Sequence, residues 1–69
     1  GDPRLKLSGI TFGSHPLAII NGRSLSEGEA TQISLKPGTL NIKCLKIQAD
    51  SVLITVDGED TPRLLRLKK

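Results

Sequence analysis

Aromatic residues are nearly missing from this chain: one Phe and no Trp or Tyr occur in 69 residues. A surface that stacks successive bases on aromatic rings is therefore excluded. A single Cys excludes an internal disulfide. One Cys with one His excludes a Cys/His zinc site built within one chain. No apolar run approaches the ~20 residues that a membrane-spanning helix needs. Met is absent too, so the chain is expected to be a processed protein or an excised domain. Residues 1–4, beginning with Gly1, read either as a disordered N-terminal segment or as a tag remnant, ahead of a single β domain over residues 5–69.

What the chain does have is aliphatic residues: eleven Leu, seven Ile and two Val. The apolar share of 36% is enough for one small core, and charge at 25% is too evenly spread for a chain disordered by composition. Sustained i, i+3, i+4 spacing is lacking, and Gly or Pro recurs every few residues. Short aliphatic runs between turn dipeptides instead predict an all-β domain, a five- to six-stranded antiparallel β-sandwich or semi-open barrel.

The first predicted strand runs from Leu5 to Phe12, with Leu5 and Leu7 on one face. A bulge at Gly9 then brings Ile10 and Phe12 to the apolar positions. Leu17-Ala18-Ile19-Ile20 is a continuous apolar run, as in a strand buried on both faces. Asn21-Gly22 follows directly. Between two strand-like runs this pair predicts a type I′ hairpin, because both central residues need φ > 0. Gly28, in Ser26-Glu27-Gly28-Glu29, and Gly58, after Asp57, are the other structural turn residues. Ala30 to Leu35 is a weak strand or a loop, and Lys36-Pro37-Gly38-Thr39 a type II turn. In Leu40 to Ile47 the apolar phase changes after Cys44, which implies a bulge there. Val52 to Val56 and Thr61 to Leu67 complete the set, the last starting at an edge because of Pro62.

Candidate chemistry is sparse. His15 precedes Pro16 in a turn, with no nucleophile near it in sequence. Cys44 lies among aliphatic residues and reads as a small buried hydrophobe. Glu27 and Glu29 are spaced like an acid pair but read as solvated turn residues. Asp57, Glu59 and Asp60 lack the rest of a calcium loop. No phosphate loop or nucleophile elbow is present. No catalytic residue, metal or cofactor is expected, and no small-molecule substrate. The net charge of +3 is concentrated at Arg63, Arg66, Lys68 and Lys69. This cluster reads either as a guard on an edge strand or as a phosphate contact.

The stretch Leu17-Ala18-Ile19-Ile20-Asn21-Gly22-Arg23-Ser24-Leu25-Ser26-Glu27-Gly28-Glu29 resembles a pattern of small periplasmic domains in bacterial secretion and pilus machines. There an apolar pair is followed by Asn-Gly and then by Glu-Gly-Asp or Glu-Gly-Glu. The run Ile42 to Gly58 is similar to the same families: the homology-region domain of type II secretion protein C, the C-terminal domain of protein B, and PilP-like pilus lipoproteins. The resemblance covers Leu17 to Leu67, and the long stretch Ala30 to Thr39 departs from it. It implies a periplasmic domain of an inner-membrane-associated parent that connects machine components, with secretin N-terminal domains or another machine component as partner. The partner-binding edge expected here is Leu5, Lys6, Leu7, Ser8, Gly9 and Ile10, through strand addition; alternatively this strand completes the domain's own sheet. A charge placed at Leu7 is expected to abolish partner binding and leave the fold largely intact. The competing reading is a small SH3- or OB-like barrel that binds nucleic acid through the basic C-terminal strand, although nucleic acid is the less favoured partner.

Overall fold

In a computed structural model, residues 5–35 and 38–67 are described. They form seven strands: β1 (Leu7–Thr11), β2 (Leu17–Ile20), β3 (Arg23–Ser26), β4 (Ala30–Ser34), β5 (Thr39–Ile47), β6 (Ser51–Val56) and β7 (Arg63–Arg66). No helix occurs among the described residues. The strands make two antiparallel sheets, ordered β1-β2-β3 and β4-β5-β6-β7. The all-β expectation therefore holds, but the count is seven rather than five or six, and neither sheet closes on itself.

The extra strand is β4. Its sequence, ATQIS, buries Ile33 fully and Thr31 in part, so its own hydrophobic pattern is weak. Its pairing comes from β5, to which it is matched residue by residue from Ala30↔Lys43 to Ser34↔Thr39. The β4–β5 connection includes Lys36 and Pro37, which lie outside the described residues, as do residues 1–4, Lys68 and Lys69.

Alternation decides the core. In β6, Val52, Ile54 and Val56 are buried, and their β-branched side chains suit a packed pleat. Leu65 in β7, Ile42, Cys44 and Ile47 in β5, and Ile33 in β4 complete the four-stranded side. Ala18, Ile20, Leu25, Leu7 and Leu5 supply the three-stranded side of the same cluster. Each fully buried Leu or Ile contributes about 1.5–3 kcal/mol relative to exposure. The sheets approach each other where β1 meets β6 and where β3 meets β4 and β5.

β2 is not buried on both faces. Ala18 and Ile20 are fully buried, while Leu17 and Ile19 on the other face are half-buried. β2 is central in a three-stranded sheet, and no other strand among the described residues is stacked on its outer side, so its outward residues are covered by neighbours in the sheet. Ile19 lies over Gly9, where an added Cβ would sit 3.4 Å from the Ile19 Cδ1.

Both expected bulges occur. The β1–β2 register slips between Leu7 and Gly9, and the β5–β6 register slips between Cys44 and Lys46. The second slip returns Ile47 to the core opposite Val52. Asn21 and Gly22 have φ of 51° and 81°, the left-handed pair that a type I′ hairpin requires.

Candidate functional site

β1 ends its sheet, with β2 as its neighbour on one side and no strand on the other among the described residues. Asn21 fixes the start of this edge from the hairpin. Its side-chain oxygen accepts from the Lys6 N–H at 2.8 Å, and its N–H donates to the Lys6 carbonyl at 3.0 Å. Backbone groups alternate in direction along an antiparallel strand. With Lys6 bonded toward the sheet, the next residue, Leu7, directs its amide and carbonyl outward. Ser8 is the bulged residue, and its hydroxyl donates to the Ile19 carbonyl at 3.3 Å.

The six candidate partner residues divide sharply. Leu5 and Leu7 belong to the core, at 5% and 6% exposure. Lys6 and Ser8 are exposed, and Gly9 and Ile10 are half-buried. A charge at Leu7 would thus enter the core, and the expected separation of binding from folding does not hold at that position. Phe12 is the reverse case. It was expected at an apolar position of the strand, yet it follows the end of β1 at 65% exposure. Gly13, Ser14 and His15 after it are also exposed. The edge therefore presents an outward backbone, three exposed polar side chains (Lys6, Ser8 and Thr11) and the chain's one aromatic ring.

The remaining candidates serve the fold. Glu27 and Glu29 do not form an acid pair. Glu29 Oε1 accepts from the Ser26 N–H at 2.9 Å and from the Ser26 hydroxyl at 3.1 Å. These bonds hold its carboxyl below the ordinary value of 4.5. Glu27 Oε2 accepts from the Ile47 N–H at 2.8 Å. Between them, the Gly28 N–H donates to the Cys44 carbonyl at 2.7 Å, and the Cys44 N–H donates to the Glu29 carbonyl at 2.9 Å. The Glu-Gly-Glu turn is thus laid against the β5 bulge and joins the end of β3 to the second sheet. Gly28, at φ 85°, sits where a four-residue turn closed by Glu29 N–H to the Ser26 carbonyl needs a left-handed residue. Gly58 has the equivalent role, at φ 87°, in the turn that Glu59 N–H closes on Val56.

Cys44 is fully buried. Burial pushes its thiol above the usual range, and the nearby charges of Glu27 and Glu29 push it further. A thiol kept protonated this way is a poor nucleophile. In the basic cluster, both oxygens of the Glu59 carboxylate accept from the Arg63 guanidinium, through Nε at 2.8 Å and through Nη2. Arg66 is exposed. The cluster expected from sequence is thus already neutralised at its first member.

No protein-family model, curated protein or solved structure matches this chain.

Proposed function

We propose that the chain is a non-catalytic protein-interaction domain, a small β-sandwich that accepts a partner strand at the outer edge of β1. The observation that carries this reading is the exposed Phe12 at the end of β1, an edge strand with no outer neighbour among the described residues. Exposed edge backbone supplies main-chain hydrogen bonds, and a neighbouring aromatic supplies an anchor. The edge is short and bulged at Ser8, features that limit indiscriminate pairing, yet it leaves its one aromatic in solvent.

The partner class rests on the resemblance of the Asn-Gly and Glu-Gly-Glu segments to periplasmic secretion and pilus domains. On that reading the parent is an inner-membrane-associated protein and the partner a secretin N-terminal domain or another component of the same machine. The nucleic-acid alternative loses support because Glu59 holds Arg63 and three carboxylates stand in the adjoining turn.

The test is a titration of isotope-labelled domain with purified secretin N-terminal domains, read by amide shifts. The expected result is perturbation concentrated over residues 6–12. Phe12→Ala should weaken binding by about 30-fold, in the range of an aromatic anchor, with an unchanged melting temperature. Shifts confined to residues 63–67, induced by an oligonucleotide and abolished by salt, would replace this reading with the nucleic-acid one. No shifts with any secretin domain would remove the partner class.

A further inference from the structure

The outer face of the four-stranded sheet carries an apolar row. Leu64 is 46% exposed and Leu45 38%, and Leu53 is half-buried. Their alignment follows from the register. Val52 and Ile54 point into the core, so Leu53 points out. Leu64 of β7 lies directly across from Leu53. Leu45 is the extra residue at the β5 bulge, so it and Lys46 together stand opposite Leu53. At ordinary strand spacing the row spans about 10 Å across three strands. This length matches two turns of helix.

The rim of the row is basic. Lys46 adjoins Leu45, Lys43 stands on the same face of β5, and Arg66 lies two residues beyond Leu64. All three are exposed, and none makes an ion pair among the described residues. Lys46 and Arg66 beside the row are both cations, whereas Lys43 shares its surroundings with Asp57 and Glu59; the row therefore selects partners by charge at Lys46 and Arg66 as well as by shape.

We propose that this face docks an acidic amphipathic segment of a partner protein. Its apolar side chains would seat on Leu45, Leu53 and Leu64, and its flanking carboxylates would meet Lys46 and Arg66. A second copy of the chain is disfavoured, because a symmetric contact brings the same cations together. Asp57 and Glu59 line a shallow depression beside Lys43 and Thr55, farther along the sheet than the row, so the segment is seated at Lys46 and Arg66, and an anionic lipid surface is the competing occupant that the test separates. β1 lies in the other sheet, so this surface is separate from the edge at Phe12 and stands or falls independently of it.

The probe is a fluorescent amphipathic peptide of about three helical turns, with leucines along one stripe and glutamates elsewhere. A sister peptide carries lysine in place of glutamate. The acidic peptide should bind the wild-type domain, and the lysine peptide should not. Leu45→Ser/Leu64→Ser and Lys46→Glu/Arg66→Glu should each weaken binding by at least about tenfold, while Phe12→Ala leaves it unchanged. The charge-reversal pair removes no apolar packing, so the test survives any loss of stability in the leucine pair. Failure of the acidic peptide to bind, equal binding of both peptides, or unchanged binding by the charge-reversal pair would overturn the proposal. So would tighter binding to phosphatidylglycerol vesicles than to the peptide.

Discussion

Removal of the Glu27 carboxylate should destabilise the domain far more than an exposed turn residue ordinarily does. Glu27 Oε2 accepts the Ile47 N–H at 2.8 Å, across 20 residues of sequence. Ile47 is where β5 re-enters the core after its bulge, at 3% exposure. In Glu27→Ala this amide loses its acceptor beside packed aliphatic groups. A hydrogen bond to a charged group is worth about 1.5–3 kcal/mol, and an unsatisfied amide costs about 1–3 kcal/mol. These describe the same loss from two sides and do not add. Glu27 itself is exposed, so water can partly replace it, and the expected cost is about 1.5 kcal/mol. For a domain of this size that corresponds to a melting temperature lower by roughly 6–12 °C. Thermal and urea unfolding followed by circular dichroism measure it. Glu27→Gln keeps an acceptor oxygen without the charge and should recover about half the loss. Ordinary surface substitutions fall within about 0.5 kcal/mol. A Glu27→Ala cost inside that band would refute the view that this carboxylate clamps the bulge.

The remaining predictions concern the core, an acid and the thiol. Leu7→Glu should unfold the domain, since a buried charge without a partner is not tolerated, whereas Lys6→Glu should melt within about 3 °C of wild type; circular dichroism separates the two. Glu29 has its carboxyl lowered by the Ser26 bonds, so its contribution is present above the ordinary value of 4.5 and is lost as pH falls through the lowered value. Melting temperatures taken from about pH 6 down to pH 3 should fall less steeply in Glu29→Gln than in wild type. Cys44 should resist a thiol reagent in the native state at pH 8 and react fully in denaturant; rapid native labelling, followed by mass, would contradict its burial.

Several structural features could be read from neighbouring residues. Asn21-Gly22 specifies its turn because φ > 0 is a local property of two residues. The Cys44 bulge was visible because the apolar phase of β5 changes by one, and a strand with one buried face must absorb that change. Exposure at a strand end was not visible. Phe12 is apolar and in phase with Ile10, yet β1 stops at Thr11 because its partner β2 begins at Leu17. The Glu-Gly-Glu segment likewise reads as a solvated turn, since nothing in its composition announces an amide from Ile47.

The sequence by itself determined the class of this domain. Aliphatic runs of strand length, separated by Gly, Pro and Asn, leave an antiparallel all-β chain as the way to bury them. It also determined the hairpin at Asn21-Gly22 and the burial of Cys44. Tertiary structure alone decided that Ala30–Ser34 is a strand, because an edge strand with a single fully buried residue takes its conformation from its neighbour's hydrogen bonds. It also divided Leu5 to Ile10 into core leucines and an exposed edge, and aligned Leu45, Leu53 and Leu64. These outcomes depend on which strands become neighbours and on their register, a choice made by contacts between residues far apart in the chain.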